Sequence, residues 1–217
     1  MAEYEIKQGD WFARIVKRQG YGSTWRPIFN HADNEHFREK CPDPDLLIPG
    51  EKCVLPDKEG KEESKATNQK WTFEKAPDKA QFHVVILRAN GQPVRFAAYK
   101  IVFHGPNIEG RTLTRQTDGT GAIKCEITTD AESATLTIEG QTFELKIGHL
   151  EPLTTTKGVQ ARLQNLNYHI ETISGTAGAG SLTEVAIKAF QKNYTLADPA
   201  GVVGNATKSK LKDVYGC

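Results

Sequence analysis

The histidines are the residues of this sequence best suited to bind a metal ion, and their spacing decides whether they could share one. A catalytic zinc ion needs two or three His, Asp or Glu ligands close together and an open coordination position. The histidines are scattered and form no H-E-x-x-H motif; they are His31, His36, His83, His104, His149 and His169. The sequence therefore predicts no metal site, and we expect no cofactor.

The four cysteines, Cys41, Cys53, Cys125 and Cys217, are equally dispersed and form no C-x-x-C pair. Cys125 falls on the apolar face of a predicted strand, which favours a core thiol over a nucleophile. Reduced thiols are typical of an intracellular protein, and a Cys41–Cys53 disulfide after export is the alternative. A pair of catalytic carboxylates stays open, because 27 acidic residues offer many pairs. We still expect no enzyme, since each segment of the chain fits a small non-catalytic fold.

Trp11 is the side chain best suited to bind a ligand. It directly follows Gly9-Asp10, which predicts a turn. An aromatic ring exposed after a turn can stack on the apolar face of a sugar. The same ring could instead pack within its own domain, and the sequence leaves both interpretations open.

Composition excludes some partners. Charge is balanced, with 28 Lys and Arg against 27 Asp and Glu, so no overall field favours nucleic acid. The longest apolar runs are short, such as VVIL at 84–87, so we expect no membrane insertion. The N-terminus shows no basic and apolar signal segment, and we expect cytoplasmic residence as synthesised.

Hydrophobic patterning divides the chain into segments that predict an α+β multidomain protein. Residues 1–56 indicate a strand, two helices, a proline-rich loop and a returning strand. Residues 57–79 form a charged linker with a short strand at Trp71 and Phe73. Residues 80–150 alternate with period two between turn signals, which favours a small antiparallel β-sandwich. Residues 151–217 show helical spacing and a capping box at Ser181 and Glu184.

The first segment resembles a LysM module in Tyr4-x-Ile6, in Gly9-Asp10 and in the ending PDPDLLIPGEKCVLP at 42–56. That resemblance implies a βααβ fold and a groove for N-acetylglucosamine polymers. Carried over by position, the groove residues are Gly9, Asp10, Trp11 and Phe12, and Asp45, Leu46, Leu47 and Ile48. The sequence departs from the family at Trp11, where LysM modules have a small polar residue.

The last segment resembles the peptidoglycan-binding domain 1 family, a three-helix fold. The matching stretches are KGVQARLQNLNY (157–168), TEVAIKAFQKNY (183–194) and DPAGVVGNATKSKL (198–211). Residues 80–150 resemble immunoglobulin-like or carboxypeptidase-regulatory sandwiches through NGQPV (90–94) and TDGTG (117–121).

The order of the three segments resembles proteins associated with type VI secretion or contractile-injection spikes. This resemblance implies non-catalytic binding of peptidoglycan, through its glycan or its stem peptide, together with a spike protein or a toxin effector as partner. It also implies delivery to the periplasm or a target cell by the injection machine. The alternative is an adaptor or chaperone that docks a toxin or a spike without binding sugar.

Overall fold

Residues 2–55 begin and end in two strands that pair with each other. The computed structural model describes residues 1–22, 25–58, 67–72, 79–108 and 110–216. In it, β1 (Ala2–Glu5) lies antiparallel to β2 (Lys52–Leu55). Between them lie α1 (Phe12–Arg18), α2 (Trp25–Phe29), a 3₁₀ turn (Ala32–Asn34) and α3 (Glu35–Lys40). The segment thus holds a third short α-helix beyond the two that the sequence predicts, and its likeness to LysM stays a prediction.

Aromatic rings and one buried amide hold this segment together. Phe12 packs edge-on against Phe29 with ring centroids 4.9 Å apart, and Phe37 contacts both rings. The fully buried Asn34 accepts a hydrogen bond from the Val54 backbone N–H at 2.7 Å and donates one to its carbonyl oxygen at 2.8 Å. Because a buried amide is costly without partners, these bonds fix the helices against β2. Phe12 and Phe29 are both buried, as expected for the apolar faces of the two predicted helices.

Residues 79–146 form two antiparallel sheets that face each other. One sheet pairs β3 (Lys79–Val85) with β6 (Ala122–Thr128). The other has the order β5 (Thr112–Gln116), β4 (Ala98–His104), β7 (Ser133–Ile138), β8 (Gln141–Lys146). Alternate side chains of β4 and β6 enter one core, as the period-two pattern predicts. The contact of Phe82 with Phe103, 5.3 Å between ring centroids, joins the sheets.

At the edges of this sandwich the structure differs from two predictions made from the sequence. The period-two pattern would bury Phe143 on β8, but Phe143 is 39% exposed because β8 is an edge strand of its sheet. Residues 67–72 contain no strand, so the strand predicted at Trp71 and Phe73 is not seen at Trp71, and Phe73 lies outside the described residues. Most of the predicted linker also lies outside the described residues.

Three helices make up the C-terminal segment: α4 (Thr156–Asn165), α5 (Leu182–Asn193) and α6 (Asn205–Tyr215). Val159, Leu163, Ile187, Phe190 and Leu211 form their shared core. The Ser181 hydroxyl accepts a hydrogen bond from the Glu184 N–H at 3.1 Å, which confirms this half of the predicted capping box.

The coarse fold prediction is confirmed: the protein is a mixed α+β chain with small antiparallel sheets followed by helices. Cys41, Cys53 and Cys125 are buried free thiols, and burial raises the pKa of the Cys53 thiol to about 12. Cys125 is therefore a core thiol, as predicted, and Cys217 lies outside the described residues. In the part of the chain that the structure describes, no helix has the length and apolar character needed to cross a bilayer.

Candidate functional site

The two segments predicted to form a glycan groove do lie next to each other. The backbone N–H of Phe12 donates a hydrogen bond to the carbonyl oxygen of Pro44 at 2.8 Å. This bond brings residues 9–12 against the start of residues 45–48.

The side chains of the first segment nevertheless point away from solvent. Asp10 and Trp11 are each 4% exposed and Phe12 is fully buried. The Asp10 carboxylate accepts hydrogen bonds from the Lys7 backbone N–H at 2.9 Å and from the Tyr4 hydroxyl at 3.0 Å. These contacts fix the turn, and they leave the carboxylate little room for a ligand.

The second segment contributes what remains accessible. Asp45 is exposed, Leu46 and Ile48 are half-buried, and Leu47 is buried in the core. The exposed part of the predicted groove thus offers one carboxylate and two aliphatic side chains. Whether it binds a sugar stays a prediction.

The sandwich covers the turn that carries Trp11. A side chain at Gly148 would lie 2.6 Å from the carbonyl oxygen of Gly9 and 2.7 Å from Trp11 Cε3, so only glycine permits this approach. The φ of +77° at Gly148 adds a second reason for glycine. On the other side, the Arg14 guanidinium lies 4.6 Å from the centre of the Trp11 ring. Residues 148–149 and Arg14 enclose the ring, which favours the interpretation that Trp11 packs within the chain, and its role in sugar binding stays a prediction.

Ion pairs tie α1 to the loop between β6 and β7. Arg14 Nη2 lies 2.9 Å from Glu132 Oε1, and Lys17 Nζ lies 2.8 Å from Asp130 Oδ2. Arg18 Nη2 reaches the same Glu132 oxygen at 2.7 Å. The i, i+3, i+4 spacing of the three cations predicts a shared helix face. Their partners are more than a hundred residues away, so local patterning could not identify this contact.

His149 gives the covered turn a pH dependence. Partial burial, Lys146 and Arg14 lower its pKa, while Glu132 opposes them. The folded state therefore favours neutral His149, and its contribution to stability is present above the ordinary histidine pKa of about 6.5 and is lost as the pH falls below it.

We expect the Tm to fall slightly between pH 7 and pH 5, and we expect this fall to be smaller in His149→Gln. Differential scanning calorimetry across that range measures it. The matched control is His36→Gln, an exposed histidine on α3. Parallel pH profiles for the protein and the His149 variant would contradict the assignment.

A second candidate site lies in the C-terminal segment, where a shallow cleft of about 140 Å³ opens beside the starts of the helices. Its walls are aliphatic, and its polar groups are threonine hydroxyls and one lysine. The lining residues are Leu153, Thr154, Thr155, Thr156, Val159, Ala177, Thr183, Ile187, Val203 and Lys208.

Two buried glutamines hold the loops that border this cleft. Gln160 on α4 donates to the Thr176 carbonyl at 2.9 Å and to the Thr183 hydroxyl at 2.8 Å, and accepts from the Gly175 N–H at 2.9 Å. These bonds connect the loop that carries Ala177 to the first turn of α5.

Gln191 on α5 repeats the arrangement one helix later. It donates to the Val202 carbonyl at 2.7 Å and to the Thr207 hydroxyl at 3.0 Å, and accepts from the Gly201 N–H at 2.9 Å. All these bonds are internal, so the Gln191 amide is occupied within the domain. Asn165 on α4 donates to the Tyr215 hydroxyl at 2.7 Å.

A buried arginine holds the segment before α4 against the first turn of that helix, beside the cleft. Arg162 Nη1 donates to the carbonyl oxygens of Glu151 at 2.8 Å and Gly158 at 2.9 Å. Thr155 then caps α4 by accepting from the Gly158 N–H at 2.9 Å. Residues 151–155 are thereby held across the first turn of α4, which places three threonines at the rim.

Comparison with known proteins bears on this cleft. Residues 155–211 match the sequence model of a family described as "Putative peptidoglycan binding domain". The C-terminal helices are thus similar to this family of peptidoglycan-binding domains. No match was found among curated proteins or among solved structures. The family match covers about a quarter of the chain and most of the residues that line the cleft.

The match to a peptidoglycan-binding family was anticipated from the sequence, but the cleft was not. Both glutamines belong to the stretches that resemble the family: Gln160 lies in KGVQARLQNLNY and Gln191 in TEVAIKAFQKNY. Each is followed along the chain by a glycine and then a threonine that it binds. The spacing differs between the two glutamines, so this order forms no motif that the sequence alone could have singled out.

Proposed function

We propose that this protein binds peptidoglycan without cleaving it, through the cleft of its C-terminal domain. The observation that carries the proposal is the family match over residues 155–211, which contains most of that cleft. The cleft offers apolar contact and hydrogen-bonding groups in one place, as binding sites usually do.

Sedimentation with purified sacculi tests this proposal. The full-length protein is expected to pellet with sacculi, and Ala177→Trp, which fills the cleft from its exposed rim, is expected to reduce the bound fraction about tenfold. Ala179→Trp, on the same loop but outside the lining, is the matched control. Equal pelleting of the two variants would place binding elsewhere, and absence of pelleting by all three proteins would contradict the proposal.

The same sacculi test the non-catalytic part of the proposal. We expect no release of soluble muropeptides on long incubation, because within the described residues the cleft lining contains no histidine, cysteine or carboxylate for acid–base or nucleophilic chemistry. Release of fragments at a constant rate would show an enzyme.

A second candidate function is that of a protein adaptor, and the burial of Gly9–Phe12 favours it for the N-terminal segment. A turn enclosed by Gly148 and Arg14 serves docking within the chain rather than capture of a sugar. In this proposal the partner is a contractile-injection spike or its toxin, as the order of the three segments implies. The protein would reside in the cytoplasm and leave it when the machine fires.

Pulldown from cells separates the candidates. If the protein is an adaptor, both the unchanged protein and Ala177→Trp are expected to retain a spike or toxin protein. If a partner is captured only through bound peptidoglycan fragments, it is expected to be lost from Ala177→Trp. Extracellular protein at equal levels in strains with and without the contractile sheath, beyond lysis controls, would contradict delivery by the machine.

A further inference from the structure

The residues that line the C-terminal cleft indicate which part of peptidoglycan, the glycan strand or the stem peptide, fits it better. Glycan strands present neutral sugar rings, and proteins commonly bind such rings by stacking an aromatic side chain on them. Stem peptides present short alkyl side chains, amides and carboxylates. Among the lining residues are five aliphatic side chains, four threonines and one lysine, with neither an aromatic ring nor an acid.

Lys208 gives the cleft a positive charge that no acid in the described part of the chain neutralises within salt-bridge distance. The neighbouring carboxylates are engaged elsewhere. Glu184 pairs with Lys188 at 2.6 Å, and Asp198 accepts hydrogen bonds from the Thr207 N–H at 2.6 Å and from the Ala206 N–H at 3.4 Å. The half-buried ammonium of Lys208 is therefore available to an anionic group in the cleft.

Aliphatic side chains line the same cleft as Lys208. Val159, Ile187 and Val203 come from α4, α5 and the segment before α6, and Val159 and Ile187 are almost fully buried. Threonine hydroxyls border this wall: Thr154 is exposed and Thr156 half-buried. Methyl groups, hydroxyls and an ammonium within one small volume match an alanine residue with a free carboxylate.

Size supports the same ligand. Sites that enclose drug-sized molecules measure about 300–1,000 Å³. The cleft, at about 140 Å³, holds one residue-sized group and leaves the remainder of a polymer in solvent.

We infer that the cleft binds the carboxylate-bearing alanyl end of a peptidoglycan stem peptide. The carboxylate pairs with Lys208, and the methyl group lies against Val159, Ile187 and Val203. The hydroxyls of Thr154 and Thr156 bind the peptide groups. This assignment rests on the proposed function and names the part of the wall polymer that is bound.

Titration of the full-length protein with a soluble peptide, diacetyl-Lys-D-Ala-D-Ala, followed by NMR chemical shifts, tests the inference. The free acid is expected to bind at least fivefold more tightly than its C-terminal amide. Lys208→Gln is expected to weaken binding of the acid by roughly 10- to 100-fold, the usual effect of losing one charge-assisted hydrogen bond, and to abolish the preference for the acid. Lys212→Gln, one turn further on α6 and outside the lining, is the control.

A second pair of variants keeps the test independent of Lys208. Ala177→Glu places a negative charge at the rim and is expected to weaken binding of the acid more than the near-isosteric Ala177→Gln does, whereas the amide should bind both variants alike. Equal affinity for acid and amide in the unchanged protein, or loss of affinity in Lys212→Gln as large as in Lys208→Gln, would overturn the inference.

Sacculi separate failure of the inference from failure of the proposed function. Intact sacculi are expected to pellet the protein, and an excess of diacetyl-Lys-D-Ala-D-Ala is expected to release it, whereas an excess of soluble chitooligosaccharide is not. Pelleting that the peptide does not reduce would overturn the stem-peptide assignment and leave peptidoglycan binding in place. No pelleting with sacculi would overturn both.

Discussion

Replacing Trp11 by alanine is expected to lower the free energy of unfolding by about 3–5 kcal/mol, the usual cost of truncating a buried aromatic residue to alanine. The ring is 4% exposed and lies between Arg14 and the backbone at Gly148. Its Nε1–H has no hydrogen-bond partner among the described residues, so the loss is one of packing rather than of a hydrogen bond. Urea denaturation followed by far-ultraviolet circular dichroism measures it.

Trp71→Ala is the matched control, because Trp71 is 44% exposed. We expect that change to alter stability by less than about 1 kcal/mol. Unchanged stability in Trp11→Ala, combined with weaker binding of chitooligosaccharides, would restore the stacking role that the sequence suggested for this residue.

Gly158→Ala is expected to destabilise the peptidoglycan-binding domain by about 2–4 kcal/mol, as overpacking against backbone does at its upper range. Gly158 is the third residue of α4, where alanine would ordinarily stabilise a helix by about 0.5–1 kcal/mol. A methyl group there would lie 2.6 Å from the carbonyl oxygen of Glu151 and closer still to that of Pro152. Because Arg162 bonds to Glu151 and Gly158, this backbone cannot withdraw without losing those bonds.

The control for this change is Gly178→Ala, in the loop before α5, where an added methyl group meets nothing within 4 Å. We expect that variant to be neutral or slightly stabilised. Thermal unfolding of both variants measures the difference. A Tm for Gly158→Ala equal to or above that of the unchanged protein would show that residues 151–155 are not held against α4 as described.

Elements with strong periodicity were predictable from the sequence. Alternation in β4 and β6 and the helical spacing in α1 and α5 identify which side chains enter the cores, because burial imposes those periods. The third helix of the first segment, α3, was missed. It holds few apolar residues, and it is fixed through Phe37 and the neighbouring Asn34 rather than through an apolar stripe.

The candidate sites were less predictable, for physical reasons that differ. The burial of Trp11 depends on Gly148, which is distant in sequence. No pattern of residues near Gly148 indicates that its backbone approaches Trp11. The cleft depends on amide groups of Gln160 and Gln191 that are buried and bonded internally, although glutamine is usually exposed. Residue type alone assigns such side chains to the surface, so only the fold shows what they hold.

The cover that the sandwich places over the turn at Trp11 has a consequence for biosynthesis. The core of residues 4–55 is local in the chain, whereas Lys17 and Asp130, which help to hold the cover, are 113 positions apart. N-terminal domains fold first during synthesis, at about 5–20 residues per second. The first core can therefore form on the ribosome on the order of 10 s before residues 148–149 are made. During that interval Gly148 does not yet cover the ring of Trp11, and the nascent chain exposes an apolar surface that the finished protein conceals.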